Sequence, residues 1–447
     1  MTQVENHELS KLKQDEVAIV MVPLPSQGHL NQLLQLSCLI SSYHLPVYYV
    51  GLATHNRQAR IALNPSNIAK LHFHDLPNPE LIAFETIWDA STHLRDPITL
   101  FIRDISLKVR RVIVVHDPMM SYNVQDVSSL PNAESYIFNN ISVFSCYIMM
   151  CLFLKTSVQH EEELLKKLYS FEGVTTDEAM DLSDSQHPYM DVRSGDIHNT
   201  SKVIERKYID LMEQAELSLN KKQWAIGPIL PTKLDYISNK KDICLDWLNK
   251  QPPRSVLYVS FGTTNSLSDR QIKELAMGLE QSKHRFIWVL RDADRGDIDR
   301  KVELPQGFEE RVKGVGLVVR EWTPQLEILA HSSTGGFMSH CDWNSCLESI
   351  TMGVPIGVWP IHTNQPINGF LVTDILKIGL LVRDWGKREE VVSASTIENV
   401  VRKLMASEEG DTIRKRAEEL GEGVRRSTEK GGAFQIELDS FIAHITR

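Results

Sequence analysis

Residues 17–22 read VAIVMV, six apolar residues in a row. A strand with no polar face must be covered on both sides, which is the situation of a parallel strand held between two layers of helices. The segment PLPSQGHLNQ follows as a loop, and then Leu33, Leu34, Leu36, Leu39 and Ile40 recur at helical spacing. Further runs arrive at βα intervals: PVYYVGL (46–52), KLHFHDL (70–76) and VIVVHD (112–117). The pattern then restarts at SVLYVSFG (255–262). There Ser268 to Gln271 has the form of a capping box, and Ile272, Leu275, Ala276 and Leu279 give the next helix one apolar stripe. RFIWVL (285–290), GLVV (316–319), GGFMS (335–339), PIGVW (355–359) and GLLV (379–382) continue the second series.

Two such series in 447 residues require two domains. The expected fold class is α/β, with two Rossmann-like, doubly wound domains facing across a cleft. The first is expected over 1–231 and a linker over 232–252, inside the Pro-, Asn- and Lys-rich stretch 226–255. The second domain follows over 253–429, and a C-terminal helix over 430–447 is expected to pack back on the first. Ligands of open α/β sheets bind beyond the carboxyl ends of the strands, so the chemistry belongs there.

A net charge of −10 without a basic run disfavours nucleic acid as a partner. Six scattered cysteines without a CxxC pair read as reduced thiols, not as a disulfide framework or a metal site. The N-terminal MTQVENHELSKLKQDE is too polar for a signal peptide, and ISVFSCYIMMCLFL (141–154) is too short to span a bilayer. A cytoplasmic monomer without a membrane partner is expected.

GGFMSHCDWNS (335–345) reads as strand, tight turn and helix start, with Asn344 or Ser345 in the first helical turn. Unpaired N–H groups and the positive end of the helix dipole gather at such a point, and His340 adds a donor from the strand end. Taken alone, the segment reads more readily as a capped helix beside a satisfied core histidine. No GxGxxG or GxxxxGK[ST] loop accompanies it.

The whole span from Trp322 to Gln365 decides between these readings. WTPQLEILAHSSTGGFMSHCDWNSCLESITMGVPIGVWPIHTNQ closely resembles the 44-residue box of the plant family-1 UDP-sugar-dependent glycosyltransferases. The resemblance extends through GHLNQ, WAIGP, CLDWLNKQPPRSVLYVSFGT and KGGAF. It is strongest to the zeatin O-glycosyltransferase branch, through VPLPSQGHLNQLLQLS, ATHNRQAR, HDLPNP, HDPMM, VQDVSSLPNAES and GLLVRDW.

The resemblance implies a GT-B fold and a UDP-sugar donor, UDP-glucose in first place and UDP-xylose in second, with no metal. It places Trp322 against uracil with Thr323 beside it, and Gln325 and Glu348 on the ribose hydroxyls. His340, Asn344, Ser345, Thr263 and Thr264 would hold the pyrophosphate, and Trp343, Asn364 and Gln365 the sugar. Asp342 stands where the family has Gly; its charge should repel the donor and its side chain should restrict the turn. Asn364 replaces an acidic residue, at a cost of about 1 kcal/mol in charge-assisted bonding. Gln32 replaces a Pro, a minor change.

His29, in the GH motif, corresponds to the family's general base, and Asp117 to the carboxylate that orients it. His116 and Asp126 are the competing partners, although adjacent residues on a strand face opposite sides. The acceptor oxygen would then attack the anomeric carbon opposite UDP with inversion, while the helix dipole, His340 and Ser345 stabilise the leaving diphosphate. Phe84, Glu85, Trp88, Phe138 and Asn140 are the candidate acceptor contacts. A zeatin-type cytokinin is the acceptor implied first, a flavonoid or other phenolic second. An acceptor-free epimerisation of the UDP-sugar, or a UDP-binding protein without catalysis, are the remaining readings.

Overall fold

The computed structural model describes residues 16–62, 65–68, 70–78, 92–154, 177–214, 219–230, 242–262, 267–290 and 303–447. The chain divides into two compact units: Met1–Val143 with Thr176–Pro231 and Glu429–Arg447, and Phe144–Thr175 with Thr232–Thr428.

The first unit is built on strands β1 (Val17–Val22), β2 (Val47–Leu52), β3 (Leu71–Leu76), β4 (Arg111–His116), β5 (Ala133–Asn139), β6 (Gly195–His198) and β7 (Lys222–Ala225). Their order is β3-β2-β1-β4-β5-β6-β7, with every pairing parallel. The unbroken apolar run of β1 has the expected cause. Val17, Ile19 and Met21 enter the core on one face, with Leu33, Leu36 and Ile40 of the helix Gln27–Ser41. Ala18, Val20 and Val22 enter the other, against Ile98, Phe101, Ile102 and Ile105 of the helix Arg95–Ser106. The C-terminal helix Ala433–Thr446 adds Phe434, Leu438, Phe441 and Ile445 to the first face, and Phe441 meets the Trp224 ring at 5.2 Å between centroids.

The second unit carries β8 (Val256–Ser260), β9 (Arg285–Val289), β10 (Gly316–Val319), β11 (Thr334–Ser339), β12 (Ile356–Val358) and β13 (Gly379–Leu381), in the parallel order β10-β9-β8-β11-β12-β13. In each sheet the order reverses at one pair of neighbours, β1 with β4 and β8 with β11. Chain leaving the carboxyl ends of such a pair diverges and opens a crevice.

Three expectations need amendment. The linker does not reach 252: Asp242 caps a helix Ile243–Leu248 whose Cys244 and Leu248 are buried in the second unit's core. The first domain is not continuous over 1–231, because the helix Val143–Leu154 enters the second unit. Its Phe144 stacks on Phe370, and Ser145 Oγ donates to Asn368 Oδ1 at 3.0 Å. The capping box at Ser268 is only half made. Ser268 Oγ accepts the Gln271 N–H, but the Gln271 amide pairs in both directions with the Val392 backbone at 2.9 Å. Among the described residues, no helix is long and apolar enough to cross a membrane.

Candidate active site

In the first unit, β1 and β4 deliver one residue each to the crevice at their carboxyl ends. Ser26, in extended conformation, starts the helix Gln27–Ser41, so His29 lies in a first helical turn and not in the loop expected there. Asp117 follows β4 and caps the short turn Pro118–Met120, its Oδ1 accepting the Met119 N–H at 2.9 Å. Its Oδ2 lies 2.6 Å from His29 Nδ1. The Asp117 side chain is 4% exposed and that of His29 30% exposed. An Nδ1–H donated to a carboxylate fixes the tautomer in which Nε2 carries the basic lone pair, and it stabilises the imidazolium once Nε2 takes a proton.

The rival partners are engaged elsewhere. His116 is buried, its Nδ1–H directed at the Asp117 carbonyl at 2.9 Å, and burial pushes its pKa down to about 4. Asp126 is held by both ends of the Arg95 guanidinium, at 3.2 Å, and by the Thr99 hydroxyl at 3.1 Å.

In the second unit, β11 ends at Ser339 and the helix Trp343–Met352 begins four residues later. The left-handed position of the turn is Cys341, at φ +66°. Ser339 Oγ accepts the Cys341 N–H, and Asn368 Nδ2 donates to the Cys341 carbonyl, both at 3.0 Å. Asp342 sits at φ −60°, which any residue adopts, so the restriction expected from losing a glycine there does not arise. Its carboxylate makes no capping bond to the helix. Gly262, after β8, is left-handed at φ +80°, and a Cβ there would lie 2.8 Å from His340 Nε2. Burial pushes the His340 pKa down to about 4 against the upward pull of Asp342, and among the described residues its Nδ1 has no partner. A neutral imidazole and the positive end of a helix dipole suit an anionic ligand.

Beside this turn the structure joins three of the expected residues. Gln325 Nε2 donates to Ser345 Oγ at 3.1 Å and to Glu348 Oε2 at 2.7 Å. Desolvation pushes the half-buried Glu348 carboxyl up to about 7, with the Gln325 amide pulling the other way. Trp322 is 73% exposed, an aromatic platform and not a core residue.

Other expected residues take different parts. Thr323 is buried with its hydroxyl 3.0 Å from that of Tyr258, so it braces the fold. The Trp343 indole is buried and packs within the fold. Gln365 Oε1 accepts the N–H groups of Ile361 and His362 at 2.8 and 3.0 Å and shapes that loop. Asn364 is buried and among the described residues its Nδ2 has no partner, while Asn344 stands in the first turn of the helix Trp343–Met352. Phe138 is a correction: it points from β5 into the sheet–helix core and cannot line an acceptor pocket. Asn140, just past β5, is buried. Thr263, Thr264, Phe84, Glu85 and Trp88 lie outside the described residues.

Sequence reasoning passed over Ser339 and Asn368, which hold the Cys341 turn. Nothing in hydrophobic periodicity marks a side chain whose task is to satisfy one strained backbone unit. Among the described residues, no group of three His, Cys, Asp or Glu is placed to hold a metal ion.

Two family profiles match: "Glycosyltransferase, N-terminal domain" over residues 15–231 and "UDP-glucoronosyl and UDP-glucosyl transferase" over residues 193–406. The chain is 46% identical to the zeatin O-glucosyltransferase of Phaseolus lunatus, over 97% of both chains. It is also 46% identical to the zeatin O-xylosyltransferase of Phaseolus vulgaris, over 97% of this chain and 98% of that one. Among solved structures it is similar to Phytolacca americana UGT2 complexed with UDP-2fluoro-glucose and pterostilbene. That match has a TM-score of 0.79 and 27% identity, covering 97% of this chain and 100% of that one. Medicago truncatula UGT71G1 complexed with UDP-glucose follows with a TM-score of 0.78 and 26% identity, covering 97% and 99%.

Proposed function

Because the chain belongs to the plant family-1 UDP-sugar-dependent glycosyltransferases, we propose that it transfers glucose from UDP-glucose to a hydroxyl of a zeatin-type cytokinin, with inversion. The observation that carries the reading is the 2.6 Å contact between His29 and Asp117 at the switch point of the first sheet. UDP-xylose is the second donor, since the glucosyl- and xylosyl-transferring relatives are equally similar to this chain. A phenolic acceptor is the second reading, supported by the stilbene in the Phytolacca complex.

In this mechanism His29 Nε2 removes the acceptor's hydroxyl proton as the oxygen attacks the anomeric carbon. Asp117 stabilises the imidazolium as it forms. The bond from that carbon to the β-phosphate oxygen breaks on the opposite side, and its electron pair leaves with UDP. The developing charge falls to the N–H groups of the first turn of Trp343–Met352, to Ser345 and to neutral His340. Trp322 stacks on the base, and Gln325 with Glu348 takes the ribose.

The test is a mass-spectrometric screen pairing UDP-glucose, UDP-xylose and UDP-galactose with zeatins and flavonoids, run in chelator. The expected product is a zeatin O-glucoside formed without added divalent metal. Turnover that is lost in chelator and regained with Mg²⁺ would overturn the proposed leaving-group arrangement, and glycosylation of flavonoids alone would move the acceptor class.

Asp342 supplies a separate prediction. Its carboxylate caps nothing and stands at the helix end assigned to the diphosphate. Asp342→Asn should tighten UDP binding about 3- to 10-fold at low ionic strength, and by less in 0.5 M salt, as expected for one screened like-charge contact. Calorimetry at the two salt concentrations reads the difference; equal affinities at both would mean that the carboxylate is turned away from the phosphates.

A further inference from the structure

Between the end of β11 and the helix Trp343–Met352, Cys341 stands in the left-handed region at φ +66°. A residue with a Cβ adopts that conformation at a cost that glycine escapes, so the surroundings have to hold it there. Two side chains do so, one on each side of the residue. Ser339 Oγ accepts the Cys341 N–H, and Asn368 Nδ2 donates to the Cys341 carbonyl, both at 3.0 Å. The planar peptide units before and after Cys341 are thereby fixed, and its φ and ψ with them.

Ser339 ends the strand that leads into the turn, so its bond is local. Asn368 comes from the helix Gln365–Phe370, and its own N–H bonds to the Asn364 carbonyl at 2.9 Å. That helix therefore starts at the two residues that the family resemblance places at the sugar. Asn368 Oδ1 accepts the Ser145 hydroxyl at 3.0 Å, and the Cys341 carbonyl can only accept, so the amide has one orientation that satisfies both neighbours. Ser145, Ser339, Cys341 and Asn368 are all fully buried, where a lost bond is not replaced by water. One amide thus ties the turn assigned to the diphosphate to the helix that begins at the sugar.

We propose that Asn368 is a positioning residue for the donor, its amide keeping Cys341 left-handed and so holding the turn in the form that receives the diphosphate. The inference rests on the reading of this turn as the seat of the diphosphate. Without the Nδ2 bond the left-handed form loses its support, and donor affinity falls in proportion to the share of molecules that still adopt it. Glycine at 341 would take the same conformation at no cost and make the bond dispensable. Alanine there keeps the Cβ, and with it the need for the bond.

The test is calorimetry with UDP on Asn368→Leu made in three backgrounds, wild type, Cys341→Ala and Cys341→Gly, each compared with its own parent. Asn368→Leu should weaken UDP binding about 10-fold in the first two and no more than about 2-fold in Cys341→Gly. The KM for UDP-glucose should follow the same order. A loss of equal size in all three backgrounds would mean that Asn368 only packs, and it overturns the proposal, as does undiminished binding by Asn368→Leu in the wild-type background. Should Asn368→Leu not fold by circular dichroism, Asn368→Asp carries the test, since it keeps the acceptor for Ser145 and loses only the donor. If the wild type binds no UDP, the reading of the turn as a diphosphate site fails instead. Hydrogen exchange at the amides of residues 341–343 then reads the clamp by itself. Faster exchange in Asn368→Leu, slowed again by Cys341→Gly, is expected, and unchanged exchange overturns it.

Discussion

His29→Ala is expected to lower kcat for sugar transfer by about 100- to 10,000-fold while leaving UDP affinity within about twofold, the range for losing a general base that does not touch the donor. An alcohol is scarcely ionised near neutral pH, so attack on the anomeric carbon needs a group that removes the proton as the bond forms. The geometry makes the companion variant informative. Asp117 spends one oxygen on the Met119 N–H and the other on His29 Nδ1. Asp117→Asn can keep the first bond, but its amide also stabilises the tautomer with the proton on Nε2, which cannot act as a base. A fall in kcat of about 10-fold or more, with circular dichroism unchanged, is the expected signature. Stopped assays with saturating acceptor and calorimetry with UDP separate the two quantities, and undiminished transfer by His29→Ala removes this imidazole from the mechanism.

Glu348→Gln should act on the donor side and in a pH-dependent way. The carboxyl is pushed up to about 7 by desolvation, from 4.5. Between those values the native state keeps a proton that the unfolded chain has released, so stability falls as pH rises through that window, and the cost is fully present above it. A glutamine carries no such cost, so the variant without ligand should melt higher than wild type at pH 8 and alike at pH 4. Binding runs the opposite way. Ionised Glu348 can accept two ribose hydroxyls, and glutamine loses the charge-assisted share, worth about 10- to 100-fold in UDP affinity at pH 8. At pH 6 the wild-type carboxyl is largely protonated, and the gap should narrow. UDP's own phosphate titration affects both proteins and cancels in the comparison. An identical pH profile for the two would place the ribose away from Glu348.

The parts of the molecule legible beforehand share a physical property: their residue types are forced by surroundings on more than one side. VAIVMV is apolar throughout because odd and even residues enter different cores. The box from Trp322 to Gln365 was legible as a set, though not residue by residue. Its Gln325, Ser345 and Glu348 do converge, whereas Thr323 and the indole of Trp343 serve the fold.

Strands β5, β6 and β7 were not legible, because each carries polar residues that find partners only in the tertiary structure. Glu134 pairs with Arg111 and the Tyr136 hydroxyl, Asp196 with the Arg193 guanidinium, and Gln223 with His198. Phe138 was misassigned for the same reason, since the face it enters depends on a register that its own sequence does not declare. At Asp342 the residue type was read correctly and the backbone was not: the glycine-like conformation belongs one position earlier, at Cys341.

The helix Ala433–Thr446 finishes a core that β1 began more than 400 residues earlier. Phe434, Leu438, Phe441, Ile442 and Ile445 each withdraw about 1.5–3 kcal/mol worth of apolar surface from water there. On the ribosome, therefore, the segment that emerges first is the one that must wait longest for its last wall. Tyr136 and Trp224 lack that part of their packing until the helix is made, while every residue of the second unit precedes it, a reversal of the usual N-to-C order of domain completion.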